Sequence, residues 1–95
     1  MSADFEIDIV EEKIDKIETD KVRQRALVLY NDDFNTFDFV IESLIEICGH
    51  DLLQAEQCAS IVHHNGKCSV KMGSYSSLNP MRVALCDRGL SAVIN

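Results

Sequence analysis

Three short polar residues in a row, Asn31-Asp32-Asp33, interrupt a stretch that is otherwise apolar. Leu27-Val28-Leu29-Tyr30 precedes them and Phe34-Asn35-Thr36-Phe37-Asp38-Phe39-Val40 follows. Their side chains bring an amide oxygen and two carboxylates next to Phe34 and Phe37. Acceptors beside aromatic rings could hold a cation next to an apolar pocket. A second candidate is His63, in Val62-His63-His64-Asn65-Gly66. A neutral imidazole adds one more acceptor, which it loses on protonation.

Other readings of the same residues stand beside this one. Asn and Asp are common turn residues because their side chains bond the local backbone, so Asn31-Asp32-Asp33 also reads as a solvated turn. His63 also reads as a hydrogen-bonded core histidine. Asp32, Asp33, His63, His64 and Cys68 are metal-ligand types, but their spacing matches neither a zinc finger nor an H-E-x-x-H helix. A nucleophile elbow and a glycine-rich phosphate loop are both absent from the sequence. Cys58 lies near His63 but is expected to pack into the core. The residues point to binding without catalysis, a metal or another cofactor.

The elements that would carry these residues follow from periodicity. Ala26 to Tyr30 reads as a buried strand that ends at the polar triplet. Asn35 can cap a helix starting at Thr36, on which Phe37, Val40, Ile41, Leu44 and Cys48 form one stripe. Asp38, Glu42 and Glu46 line its other side, and Gly49 stops it. Asp51 starts a second helix, with Leu52, Ala55, Ala59 and Val62 facing inward and Asn65-Gly66 at its end. At about 100° per residue, His63 falls over the Ala59 face while His64 turns toward water. Lys67 to Met72 alternates, with Cys68, Val70 and Met72 on one side and Lys67, Ser69 and Lys71 on the other. Asn79-Pro80 predicts a third helix with Met81, Ala84 and Leu85 inside and Gly89 at its end. Leu90 to Ile94 closes the chain as a short strand. The expected fold is α/β (α+β): three helices on a small, mostly antiparallel three-stranded sheet, in the order βααβαβ.

Composition narrows the function classes. The chain has 95 residues, enough for one small domain with a single core. Its net charge of −7 opposes nucleic-acid binding, which needs a basic surface. Residues 1–21 carry eight acids and three bases, so most of the excess charge lies there. We read 1–21 as a flexible acidic extension, with Ile7, Val10, Ile14 and Ile17 at near-helical spacing, and 22–95 as the core domain. Neither a membrane span nor a secretory leader is visible, which gives a cytoplasmic expectation. In that setting the four cysteines, Cys48, Cys58, Cys68 and Cys86, read as reduced core residues.

Three segments together resemble the ClpS adaptor family. They are Leu29-Tyr30-Asn31-Asp32-Asp33-Phe34 through Glu42, Gln54-Ala55-Glu56-Gln57 through Val62-His63-His64-Asn65-Gly66-Lys67, and Gly89-Leu90-Ser91-Ala92. The resemblance implies a non-catalytic adaptor that binds proteins by an N-terminal Leu, Phe, Tyr or Trp (an N-degron). It would deliver them to a Clp-family AAA+ unfoldase, ClpA- or ClpC-like, coupled to the ClpP peptidase. By the same resemblance Asn31, Asp32 and His63 would hold the α-amine. Asp33, Asn35, Phe37, Val40, Ala59, Val62 and Leu90 would form the side-chain pocket. Phe37 stands where the family usually has a methionine gate, and Ala59 replaces a larger wall residue. Asn35-Thr36 replaces the commoner Thr-Pro. Tyr75 to Arg82 lacks the Glu and Lys typical of unfoldase docking, so a ClpS-like regulator or inhibitor without delivery is the alternative.

Overall fold

A computed structural model describes residues 23–95. The extension expected over 1–21 lies outside the described residues. Six elements follow in the expected order: β1 (Arg25–Tyr30), α1 (Phe37–Cys48), α2 (Leu52–Asn65), β2 (Lys67–Gly73), α3 (Tyr75–Asp87) and β3 (Ser91–Ile94). The sheet is antiparallel throughout, with order β2-β1-β3. Its central strand is the most apolar of the three. Leu27 and Leu29 point into the helices and are fully buried, joining Leu44, Cys48, Ala55, Val62, Val70, Leu78, Leu85, Leu90 and Ala92 in one core.

Both ends of α1 and α2 have a local chemical cause. Thr36, rather than Asn35, caps α1, its Oγ1 accepting the Phe39 N–H at 3.1 Å. Asn35 is engaged elsewhere, as described below. Gly49 ends α1 at φ 72, a left-handed conformation that suits glycine. Asp51 caps α2 by accepting the Gln54 N–H at 2.8 Å.

Three side-chain placements differ from the sequence pattern. Leu52 is 58% exposed. It lies about 60° around the helix from Ala55 on the side away from Ala59, so it falls at the edge of the buried stripe. Met72 is 54% exposed, although Cys68 and Val70 do turn toward the core. The reason is a bulge: Leu27 pairs with Lys71 and Val28 with Ser69, leaving Val70 as an extra residue in β2. One extra residue reverses the facing of everything beyond it. Lys71 therefore turns to the helix side, where its Nζ donates to the Cys48 carbonyl at 3.1 Å, and Met72 turns out. Cys86 is exposed rather than a core residue, though all four cysteines are free. Burial pushes the Cys48 and Cys68 thiols up to about 11, so neither is a thiolate at neutral pH.

The third helix starts four residues before Asn79, at Tyr75, behind a Ser74 cap that accepts the Ser77 N–H at 3.2 Å. The run Ser74-Tyr75-Ser76-Ser77 reads as a loop by composition, but Leu78, fully buried behind it, anchors that turn to the core. Pro80 lies within the helix rather than at its first position.

The bulge also explains His50, which the sequence pattern leaves unmarked. His50 is 3% exposed in the turn between α1 and α2, and its Nε2 donates to the Val70 carbonyl at 2.7 Å. A bulged residue cannot use the regular ladder, so a side chain supplies the missing partner. The other ring nitrogen, Nδ1, is buried and has no partner among the described residues. Replacing His50 with Ala should lower stability by about 1–3 kcal/mol by orphaning a buried carbonyl, read as a lower urea midpoint. A loss within about 0.5 kcal/mol, as at an ordinary surface position, would contradict this role.

Candidate functional site

The site forms where β1 ends. The Asn31 N–H donates to the Gly66 carbonyl at 2.8 Å, and the Gly66 N–H donates back to the Val62 carbonyl at 2.9 Å. Gly66 takes φ 93, a left-handed turn that stops α2 at this point. The polar triplet is thereby tied to the last turn of α2, beside His63.

The loop that follows is organised by Asp32. Its Oδ1 accepts the N–H groups of Phe34 and Asn35 at 2.9 and 2.7 Å, and its Oδ2 accepts the Asn35 side-chain amide at 2.9 Å. Asn35 also donates to the Gly89 carbonyl at 3.0 Å, which fastens the loop to the turn before β3. Partial burial pushes the Asp32 carboxyl up, but the Asn35 amide and the two backbone donors outweigh it. The net effect holds the group below its ordinary 3.8. Asp32 is therefore ionised at neutral pH.

Loop and helices enclose a cavity of about 470 Å³. Asn31, Asp32, Asp33 and Asn35 line its polar side; Phe37, Val40, Ala59, Val62 and His63 line the rest. Ala59 and Val62 are buried and form an apolar floor, while Phe37, 44% exposed, stands at the rim. Among the described residues neither Lys nor Arg lines the cavity. The arrangement is a negatively biased mouth over an apolar base, which suits a cationic group attached to a bulky hydrocarbon.

Nine of the ten residues expected for the site meet here. Leu90 does not: it is 4% exposed and packed in the core under the sheet. His63 lines the cavity as an exposed residue at its lip, not as a histidine buried on the Ala59 face. Its neighbour His64 is outside the lining and is held by its own helix, with Nδ1 2.8 Å from the Ser60 carbonyl. Phe34, the first of the two phenylalanines flagged beside the acceptors, projects into solvent outside the lining. The clamp between Asp32 and Asn35 escaped the sequence reading, although the Asp32 bond to the Phe34 N–H is the two-residue side-chain turn that Asp favours. Among the described residues no group of three or more His, Cys, Asp or Glu is placed to hold a metal ion.

Comparison with known proteins identifies the family. The family described as "ATP-dependent Clp protease adaptor protein ClpS" matches residues 20–91, most of the chain. This chain belongs to the ClpS family. Among curated relatives, an ATP-dependent Clp protease adapter protein ClpS from Campylobacter jejuni is 48% identical over 40 residues, 42% of each chain. One of the same name from Leptothrix cholodnii is 36% identical over 59 residues, 62% of this chain and 50% of that one. The aligned part thus spans half or less of these relatives' length. The match includes the cavity's loop, both of its helices and the beginning of β3.

The Asp32 clamp makes a measurable prediction for this ClpS-family loop. In an NMR titration Asp32 should have its midpoint below 3.8, with the Phe34 and Asn35 amide signals following it. Because the folded value is depressed, the loop order it supports is present above the ordinary value and lost as pH falls through the folded one. Asn35→Ala should raise the midpoint by removing the strongest donor. A native midpoint above 3.8 would contradict the clamp.

Proposed function

We propose that this protein is an adaptor that binds the free N-terminal residue of substrate proteins when that residue is bulky and apolar: Leu, Phe, Tyr or Trp. It would then pass them to a Clp-family AAA+ unfoldase, ClpA- or ClpC-like, working with ClpP in the cytoplasm. The observation that carries this reading is the union, in one cavity, of acceptors at the mouth and an apolar floor. An α-ammonium brings one charge and three N–H donors. The Asn31 amide oxygen and a His63 ring nitrogen can each accept one. Asp32 already accepts three hydrogen bonds, so it supplies the opposing charge and one remaining acceptor direction, directly or through water.

The energetics suit a carrier. Burying a Leu or Phe side chain contributes roughly 1.5–3 kcal/mol, and each hydrogen bond to the charged amine roughly 1.5–3 kcal/mol. Association costs about 4–15 kcal/mol. The balance favours modest affinity, so cargo can be released to the next component. Specificity follows from the amine, because an internal residue has an amide there and carries no charge.

A regulator that occupies an unfoldase without delivering cargo remains the second reading, and one observation favours it. Arg82, the one cation within the expected docking segment Tyr75 to Arg82, is held by the Asn79 Oδ1, with its Nε and Nη2 at 3.1 and 2.9 Å. Its guanidinium is thus partly engaged within α3. A pull-down of cargo, adaptor and unfoldase together separates the readings, since a pure regulator yields no ternary complex.

The amine reading predicts that binding of a Phe-led peptide weakens as pH rises. On the alkaline side the peptide amine, with an ordinary pKa of about 7.7–8.0, loses its charge. Asp32, held below 3.8, stays ionised through the mildly acidic range, so its opposing charge persists there. His63→Ala should weaken binding, while His64→Ala should change little. If His64→Ala proves the more damaging change, the amine site is misplaced.

A further inference from the structure

α1 and α2 share a second depression, of about 390 Å³, that has no lining residue in common with the cavity just described. Its base is apolar: Ile41 and Ile45 from α1 and Leu52 from α2. Its edges carry four carboxylates, Asp38, Glu42 and Glu46 on α1 and Glu56 on α2. Residues 38, 41, 42, 45 and 46 follow one another at the three- and four-residue steps of a single helix stripe, and 52 and 56 do the same on α2.

This charge is concentrated beyond what the fold needs. Residues 22–95 contain eight acids and six bases. Half of those acids line this groove, and none of the bases does. Among the described residues only Glu46 is paired, with Arg88. Asp38, Glu42 and Glu46 succeed one another at four-residue spacing, where like charges repel and destabilise a helix. Between them Ile45 is 36% exposed and Leu52, as noted, more so. Exposed apolar side chains framed by repelling carboxylates are doubly unfavourable in the isolated chain. Both costs are relieved by a partner that is apolar along its centre and basic along its flanks.

We propose that this groove docks a basic amphipathic helix of a partner protein. Two helices joined by the short turn Gly49-His50-Asp51 lie side by side. A third helix fits the furrow between them, as in helix-in-groove recognition. Ile41 and Ile45, one turn apart, match apolar residues one turn apart on the incoming helix. Lys or Arg on its two flanks then meets Asp38 and Glu42 on one side and Glu56 on the other. An extended segment would turn every second side chain away from the groove. Because the two cavities use different stripes of α1, Phe37 and Val40 in one and Ile41 and Ile45 in the other, both can be occupied together.

The test uses the full chain and a fluorescent, N-acetylated helical peptide with Leu at i, i+3, i+4 and i+7 and Lys at the flanks. Acetylation removes the amine that the first cavity would hold. Fluorescence anisotropy should show binding that weakens as salt rises past physiological strength, and a Glu-flanked counterpart should not bind. Glu42→Lys combined with Glu56→Lys, both at exposed positions, should reduce affinity by about tenfold or more, whereas Asp87→Lys on α3 should change it little. Ile45→Ala should also weaken binding, which distinguishes the groove from a diffuse acidic surface. Equal loss with Asp87→Lys, or binding of the Glu-flanked peptide, would overturn the proposal. So would a concentration-dependent dimer that Ile45→Ala dissolves in the absence of peptide binding, since the groove would then belong to a second copy of this chain.

Discussion

The hydrogen bond from the Asn31 N–H to the Gly66 carbonyl joins the end of the central strand to the end of α2. Everything at the site depends on that seam. It places the polar triplet over the last turn of α2, so that Asn31 and Asp32 face His63 across a floor made by Ala59 and Val62. The seam is possible because Gly66 takes a left-handed conformation, which allows α2 to stop one residue before β2 begins. The pairing of Tyr30 with both Lys67 and Ser91 then fixes the distance at which the loop leaves the sheet.

On this frame, the loop is held by Asp32 rather than by apolar packing. One carboxylate satisfies two backbone donors and the Asn35 amide, and Asn35 carries the connection on to Gly89. The same charge that orders the loop biases the cavity mouth toward cations. Structure and recognition are therefore coupled through one residue, and a change at Asp32 alters both. Asn31 and His63 are freer of structural duty in their side chains, which suits groups that must meet an incoming amine.

The order of elements and most of the inner faces of the first two helices were legible in the sequence from the hydrophobic period, with Leu52 and Phe37 more exposed than it predicts and Thr36 capping α1 in place of Asn35. Leu44, Cys48, Ala55 and Val62 are core as their spacing requires. Long-range effects were not legible. The bulge at Val70 is invisible in an alternating pattern, and it exchanges the faces of Lys71 and Met72. His50 has no sequence signal, since its role is to answer a carbonyl that only the bulge frees. Leu90, which the family resemblance put in the pocket, is buried in the core and is not among the residues lining the cavity. The start of α3 was obscured by serines that read as a loop. The polar half of the site was legible because its residues are adjacent in the chain. Its apolar half was reached through the family resemblance, since Phe37, Val40, Ala59 and Val62 converge only in three dimensions.

The central claim is that the cavity reads a free amine together with the side chain beside it. The most direct test is a calorimetric titration with a Phe-led peptide and its N-acetylated twin, with amide spectra recorded alongside. The free peptide should bind and shift the signals of Asn31, Asp32, Val62 and His63. Acetylation removes the charge and its hydrogen bonds, each worth roughly 1.5–3 kcal/mol, so affinity should fall by about a hundredfold or more. Equal affinity for the two peptides, or shifts confined to residues away from the cavity, would contradict the account.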